Sequence, residues 1–464
     1  MLSAVGRYSN VLAVLAVNAV LSRILTPTDF GLVALVTTVS VFLDQVAQAG
    51  IQPAVVQDGG LGTRDLRVLF NFSIAFSLLG CGLLIGIGAV VGAALGDHRY
   101  GVIAIALAPG VLFRGAVGVP TGVLLREHRF GVVNLSLLVS NFVGGGLAIV
   151  AALSGVGVLS LPIQTGVTAL VNLLIMVVVS KIWFVADIST AVVRRVMGFA
   201  SNQFGFNLIN YLSRNLDTIL VGRFLGPSPL GNYNKAYDLV TYPNGAFLGL
   251  ITPVLQPVLA KHQTDVGVIR AAYFRIFHVL ALLGMSVSVF MAIAAEPLVM
   301  TLFGEQWGAA VLPCSILSTT VWVQMTMSSS GAVFQACNRP RLLFWSGVVG
   351  AVILGTAIVV GVCFGTIVAV AIALSIGFYL DWIVCFWLLT VKVLRSKMGT
   401  LLGPLWRPAV IAIVAGIFVG LALHYLPGMG AMLQLAALLF VAVVAAGITA
   451  WVVGELKVVL SWVR

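Results

Sequence analysis

The sequence predicts an all-α integral membrane protein of about fourteen transmembrane helices, and three observations predict it. Of its 464 residues, 60% are apolar and 8% charged, and the mean hydropathy is +1.12. A soluble domain carries about 25% charged residues, so this composition excludes a soluble globular enzyme and a disordered chain. Apolar runs long enough to cross a bilayer recur along the whole length, and at about 32 residues per span and loop the chain holds about fourteen. The basic residues alternate between the two sets of connections that such runs create.

In order, the apolar runs fall at 9–26, 32–57, 68–96, 100–124, 131–154, 158–184, 203–225, 232–260, 271–303, 307–336, 342–364, 366–391, 405–426 and 431–458. The first follows Arg7 and has the outline of a signal peptide, with Ala16, Val17, Asn18 and Ala19 near its end; the repeat described below makes it a retained helix. The third carries Gly88, Gly92 and Gly96 at a spacing of four, which suits close helix packing. The longer runs allow tilt or an interfacial end.

Charge sets the orientation. One set of connections holds 19 basic residues, among them Arg7, Arg64, Arg67, Arg126, Arg129, Lys181, Arg194, Arg195, Arg339, Arg341, Lys392, Arg407 and Arg464; the other holds three, Arg23, Arg99 and Arg223. Basic loops face the cytoplasm, so both termini are expected there. The same rule accounts for the net charge of +11 without nucleic acid. All outer connections are short, and the longest soluble stretch surrounds 185–202.

The chain repeats itself. Arg23, Leu25, Pro27 and Gly31 recur as Arg223, Leu225, Pro227 and Gly231, and Asn10 recurs as Asn210. Farther on, Gln52-Pro53 matches Gln256-Pro257, and Leu78-Leu79-Gly80 matches Leu282-Leu283-Gly284. Six spans separate the copies, so the halves share one orientation and should be related by an axis along the membrane normal. The expected plan is an N-terminal six-helix lobe over 1–190, a second over 191–397, a central cavity enclosed by them, and two further helices over 398–464. Proline suits a helix start and glycine permits close packing or positive φ. The six motif residues read either as turn chemistry or as a gate.

Ionisable groups inside spans are functional candidates, since each costs about 2.5–3.5 kcal/mol on insertion scales. Arg114 lies about 18 Å along its helix from Arg126 at 1.5 Å per residue, near mid-membrane. Arg214 sits mid-span, and Lys235 lies near the outer end of its span, within snorkelling reach. The acids are Asp44, Asp217, Asp238 and Asp381. Arg214 and Asp217 are three apart, as are Lys235 and Asp238, which allows structural ion pairs. No acid is close to Arg114 in sequence, so an anion in a hydrated cavity is its best use. Asp381 reads as a structural group facing an interior partner. Asn207, Asn210 and Arg214 share one helical face, and Tyr211 and Asn234 are nearby. Such a face suits a sugar-phosphate in a cavity or hydrogen bonds between helices.

No P-loop occurs, since none of the six lysines follows a glycine. Gly86, Gly88 and Gly92 only mimic a dinucleotide loop from within a span. The five cysteines show neither metal-ligand spacing nor a disulfide framework, the histidines are scattered, and His278 reads as a buried polar residue. No cofactor or metal is expected.

Three segments resemble a known family. Leu21-Ser22-Arg23-Ile24-Leu25-Thr26-Pro27-Thr28-Asp29-Phe30-Gly31-Leu32 is similar to the opening signature of Wzx-type oligosaccharide flippases of the WzxC-like branch. So is the stretch from Leu216 to Gly226, with Leu230-Gly231-Asn232-Tyr233 and Ala236-Tyr237 after it. Leu124-Leu125-Arg126-Glu127-His128-Arg129-Phe130 resembles the basic loop after that family's fourth span. These flippases belong to the multidrug/oligosaccharidyl-lipid/polysaccharide exporter superfamily, and the resemblance extends over nearly the whole chain.

The resemblance implies a bacterial inner-membrane flippase that moves a polyprenyl-diphosphate oligosaccharide to the outer leaflet. Polysaccharide polymerase and glycosyltransferases are the implied partners. Family cavities tend to be cationic, which marks Arg114, Arg214 and Lys235 for the diphosphate. Asn207, Asn210, Tyr211 and Asn234 would line the sugar path. Drive would come from the membrane potential or from a proton or sodium ion at Asp44, Asp217 or Asp238. The first span starts nearer the N-terminus than is usual in the family, which implies that a few leading residues are missing. The rivals are a peptidoglycan-precursor flippase, a cation-coupled drug exporter, which usually has twelve spans, and a membrane polymerase or ligase, which needs a sizeable outer loop.

Overall fold

The computed structural model describes residues 2–48, 51–184, 192–194, 211, 215–261, 265–425 and 430–455. Every regular element among them is helical. Two compact units emerge, Met1–Gly231 and Asn232–Arg464.

The first unit contains α1 (Leu2–Ile24), α2 (Pro27–Gln48), α3 (Ile51–Gln57), α4 (Thr63–Leu95), α5 (Arg99–Ala116), α6 (Gly118–Arg126), α7 (Phe130–Leu153) and α8 (Ser160–Ser180), then a helical stretch over 215–224. Helix α9 (Pro227–Lys261) begins in this unit and runs into the second. There follow α10 (Val266–Ile293), α11 (Ala295–Leu302), α12 (Gly308–Ser318), α13 (Val321–Met327), α14 (Ser330–Ala336), α15 (Pro340–Cys363), α16 (Ile367–Trp387), α17 (Met398–Leu402), α18 (Trp406–Tyr425) and α19 (Ala431–Val452).

Among the described residues, ten helices are long and apolar enough to cross a membrane; the pair Glu305–Ser318 and Val321–Ala336, bent by 50°, makes an eleventh if it is one span. The chain is thus a multi-span membrane protein. The expected first span is the shorter apolar helix Ser9–Ile24, the expected eighth falls in α9, and the expected seventh, 203–225, lies largely outside the described residues. Proline moves two boundaries. The run expected at 271–303 ends as a helix at Ile293, because Pro297 has no N–H for the Ile293 carbonyl, and α11 starts afresh. The run expected at 100–124 breaks at Val117, where the Pro120 ring would clash with the Ala116 carbonyl.

Local chemistry fixes several helix starts. The Asp265 carboxylate accepts from the N–H groups of Gly267 (2.8 Å) and Val268 (3.2 Å) at the head of α10. Thr366 does the same for Ala369 at α16. In the turn before α5, the Asp97 carboxylate accepts from Arg99 Nη2 at 2.7 Å, and this bond holds the carboxyl below its usual range.

Burial is inverted relative to a soluble protein. Large apolar side chains such as Leu79, Phe142, Val150, Val352, Phe440 and Trp451 are exposed, as a lipid-facing surface requires. The interior of the α7 contact is built from Ser136, Ser140, Gly144, Ala148 and Ala152, one small residue per turn. A Cβ on Gly144 would fall on the Thr168 hydroxyl of α8, so the two backbones meet closely.

The helix pair α15–α16 repeats α7–α8. Both α7 and α15 have 24 residues, both α8 and α16 have 21. His128 and Asn338 have positive φ two residues before the first helix of each pair, and Gly155 and Gly365 have it two residues after its end.

In the second unit an aromatic core joins Tyr273 and Phe277 of α10 to Trp382 and Phe386 of α16, with the Phe277 and Phe386 rings 5.0 Å apart. The last helices are tied in by a polar cluster. His278 of α10 is bonded through Nε2 to the buried Glu455 carboxylate, and Arg407 of α18 lies 3.8 Å from the other oxygen.

Candidate functional site

The repeat motif forms two matched turns in the first unit. Leu25 N–H donates to the Leu21 carbonyl and Leu225 N–H to the Val221 carbonyl, both at 2.9 Å. Helices α2 and α9 then start at Pro27 and Pro227, a position where the missing N–H costs nothing. The caps differ. Thr26 and Asp29 form a capping box, with Asp29 Oδ2 accepting from Thr26 N–H (3.0 Å) and Oγ1 (2.8 Å). The second copy has Gly226 at φ +93° instead, which a side chain resists.

Gly31 and Gly231 are both buried. A Cβ on Gly31 would land on the Pro227 carbonyl, and one on Gly231 would land on the Pro27 carbonyl. Turn chemistry therefore accounts for the prolines, Thr26 and Gly226, while the helical glycines are set by a reciprocal contact between two backbones. Arg23 and Arg223 stay exposed; the Arg223 guanidinium lies 5.8 Å from the Phe224 ring.

Farther along α2, Ser40 and Asp44 stand one turn apart and meet Arg114 of α5. Arg114 Nε donates to Asp44 Oδ2 at 2.5 Å and Nη2 donates to Ser40 Oγ at 2.9 Å. Asp44 is 4% exposed and its Oδ1 accepts no hydrogen bond among the described residues; the Arg114 side chain is 25% exposed. Tyr211 closes the group, its hydroxyl donating to the Thr38 carbonyl at 2.7 Å and its ring 6.1 Å from that of Phe42. The acid that sequence inspection did not find beside Arg114 is Asp44, 70 positions away in the chain. A buried carboxylate and a half-buried guanidinium neutralise one another here, and either is costly to leave alone.

Lys235 occupies a different setting in the second unit. It is 2% exposed, with Nζ 4.9 Å from the Phe303 ring centre and 5.5 Å from that of Trp307. Aromatic faces attract a desolvated cation, so Lys235 is seated in the protein rather than extended to an interface. Asp217 is buried and accepts from Thr218 N–H at 2.8 Å. Asn234 and Asp238 are half-buried on α9. Asn207, Asn210 and Arg214 lie outside the described residues.

The structure thus brings together Asp44 and Arg114, ties Tyr211 to the same helix α2 through Thr38, and separately joins Pro27, Gly31, Pro227 and Gly231 while Arg23 and Arg223 stay exposed. Sequence reading missed Ser40, Phe303, Trp307 and the His278–Glu455–Arg407 cluster. Ser40 had a signal, its one-turn spacing from Asp44 on a spanning helix; the others are joined only by tertiary contact.

The chain is similar to known proteins in sequence and in fold. The chain is 29% identical over 221 residues to the teichuronic acid biosynthesis protein TuaB of Bacillus subtilis, covering 47% of this chain and 45% of that one. It is 27% identical over 206 residues to the lipopolysaccharide biosynthesis protein WzxC of Escherichia coli, covering 44% and 41%. The chain therefore matches less than half the length of these two relatives. Its fold resembles that of the lipid II flippase MurJ in an inward closed conformation, with TM-score 0.73, 12% identity and coverage of 97% of this chain and 99% of that one. A family model described as polysaccharide biosynthesis protein matches residues 20–312, a stretch that contains both Pro-Gly turns and the Asp44–Arg114 pair. The chain belongs to the polysaccharide biosynthesis protein family.

Proposed function

We propose that this protein is a transporter, not an enzyme, which flips a polyprenyl-diphosphate-linked oligosaccharide from the cytoplasmic to the outer leaflet of the bacterial inner membrane for surface polysaccharide assembly. The observation that carries the reading is a cation held inside a spanning helix of a polysaccharide-biosynthesis chain: Arg114, half-buried and paired with Asp44. The names of TuaB and WzxC support the pathway, and the fold shared with MurJ supports movement of a lipid-linked substrate.

On this reading the chain has fourteen spans, with six-helix lobes over 1–190 and 191–397, appended helices over 398–464 and cytoplasmic termini. The lobes rock in alternating access. The repeated Pro-Gly turns and the matched α7–α8 and α15–α16 pairs support the internal repeat. Gly31 and Gly231 act as the gate, since a contact of bare backbones can close tightly and part without unpacking side chains.

Arg114 receives the diphosphate by exchange. A diphosphate oxygen replaces Asp44 as acceptor of the guanidinium N–H groups, and Asp44, released, takes a proton or sodium ion. Arg214 and Lys235 add positive charge, and Tyr211, Asn207, Asn210 and Asn234 offer hydrogen bonds to the sugar. An inside-negative potential favours outward anion movement by about 2.3 kcal/mol per charge per 100 mV.

The test is a flip assay in proteoliposomes with labelled polyprenyl-diphosphate oligosaccharide on both leaflets and an impermeant glycosidase outside. Wild type should raise the digestible fraction from about half towards all of it, and Arg114→Ala should not. Wild-type rates in Arg114→Ala would sink the diphosphate role; no movement by wild type of any polyprenyl-diphosphate sugar would sink the flippase reading.

A further inference from the structure

The repeat supplies an internal control for one acid that the proposed transport path does not use. In α7–α8, Ser136 Oγ donates to Asn172 Oδ1 at 2.7 Å, a neutral bond between two spanning helices. The matching helices place Ser346 at the seventh position of α15, as Ser136 is in α7; Asp381 is the fifteenth residue of α16 and Asn172 the thirteenth of α8, so the two correspond after a shift of two. The next rung agrees: Gly144 meets Thr168 in the first pair, and Gly377 meets Leu354 in the second.

At this rung the two units part company. An amide satisfied by a serine suffices to pack the first pair. The second has a carboxylate, 8% exposed, with no hydrogen bond or ion pair among the described residues. The seat is cut to size: a Cβ on Gly350 would lie 2.6 Å from Asp381 Oδ1. Asp381 is about 16 Å from Lys392 and about 21 Å from Ile367 along the helix, far from either end of the span Ile367–Val393.

Among the described residues no cation pairs with it: α10, packed on α16 through Phe277, brings the neutral Tyr273, bonded to Ser329, and His278, bonded to Glu455; Tyr379 of α16 donates to the Thr319 carbonyl, and Lys392 lies about 16 Å on. Between Arg341 and Cys363, α15 has no titratable residue; α12 has only Cys314, and α13 and α14 have none. Cys385, one turn on, donates to Ser330 Oγ at 3.7 Å. A hard cation would need several oxygen ligands besides the carboxylate, which this apolar and small-residue setting does not offer. A proton needs only the carboxylate.

We propose that Asp381 is a proton-binding carboxyl through which the second unit couples its conformational cycle to proton uptake from one side and release to the other. Protonated, the side chain is neutral and fits the seat; deprotonated, it is an uncompensated charge in a span and favours a conformation that admits water. The inference rests on the transport reading, and two measurements keep them distinguishable.

The first is modification by dicyclohexylcarbodiimide, which captures protonated carboxyls in apolar settings, read by mass spectrometry on the purified full chain. Asp381 should be labelled at pH 6 and several-fold less at pH 9; no labelling, or labelling that ignores pH, overturns the proposal. The second is the flip assay with and without an inward proton gradient. Wild type should run several-fold faster with the gradient, and in Asp381→Asn the ratio should fall to about one. A ratio equal to that of wild type in Asp381→Asn overturns the proposal. Asparagine is the residue that already packs at the sister position, so the variant is expected to fold. If wild type flips nothing, the flippase reading fails while the labelling still decides Asp381; if only Asp381→Asn is inert under both conditions, the labelling decides as well.

Discussion

The broken span of each unit makes an instructive pair. In the first unit α5 and α6 part at Val117, and the residue presented just before the break is Arg114, bonded to Asp44 and Ser40. In the second unit α12, α13 and α14 are separated by short breaks, and the corresponding region presents Trp322. Its ring lies 5.2 Å from that of Trp382, and its Nε1 donates to the Tyr379 hydroxyl at 3.4 Å. Tyr379 in turn donates to the Thr319 carbonyl, which the break exposes, at 2.9 Å. An apolar cavity of about 310 Å³ opens beside Trp322 and Tyr379. One frame thus carries an ion pair in one unit and an aromatic cluster in the other. Helix packing needs neither in particular, so the difference marks a division of labour.

The largest expected effects come from breaking each half in its own way. Trp382→Ala removes a ring packed on Trp322, Phe386 and Phe277 and should cost about 3–5 kcal/mol of stability. Thermal unfolding in detergent would show it, and the protein that remains folded should still flip. Arg114→Ala leaves the Asp44 carboxylate buried without its partner, also a loss of about 3–5 kcal/mol, and flipping should vanish. Adding Asp44→Ala should restore most of the stability but none of the flipping. Flipping regained in the double variant would erase the contrast between the two units.

Glu455→Ala acts on the second unit alone. It removes the carboxylate that His278 and Arg407 share, and the loss of one member of a buried cluster should cost about 3 kcal/mol. The loosening should be confined to α18, α19 and their contact with α10, visible as faster hydrogen exchange there and unchanged exchange in α1 to α8. Exchange rising equally in both units would show that they do not unfold separately.

Much of the architecture was legible because its signals are local. Span order follows from apolar runs, and Pro27-to-Gly31 against Pro227-to-Gly231 is visible by eye. The breaks at Val117 and Ala294 were legible too, in Pro120 and Pro297, once proline is counted against the carbonyl four residues back. Pairings across the chain were not. Nothing near Arg114 in sequence names Asp44, and nothing near His278 names Glu455, 177 residues on. The setting of Lys235 was hidden for the same reason: its aromatic partners follow α11, a helix that exists only because Pro297 ended α10. The two units also taught what spacing could not, that an acid in a span is informative when the sister position does without one.

The two Pro-Gly turns sharpen the comparison at the small end of the energy scale. Gly31→Ala and Gly231→Ala each place a methyl group on the other copy's proline carbonyl, so both should cost about 1–3 kcal/mol and by similar amounts. The caps should not behave alike. Asp29→Ala removes the acceptor of Thr26 N–H and Oγ1 and should lower stability by about 1 kcal/mol. Pro229, its counterpart, accepts no such bonds, since Gly226 shapes that turn through its backbone at φ +93°; Pro229→Ala should stay within about 0.5 kcal/mol of wild type. Denaturation of the four variants separates the two parts of the motif. Equal glycine effects with unequal cap effects mean that the crossing is the symmetric feature and the caps are free to differ. Unequal glycine effects would mean that one helix yields to the other, and the reciprocal contact could not then serve as a two-sided gate.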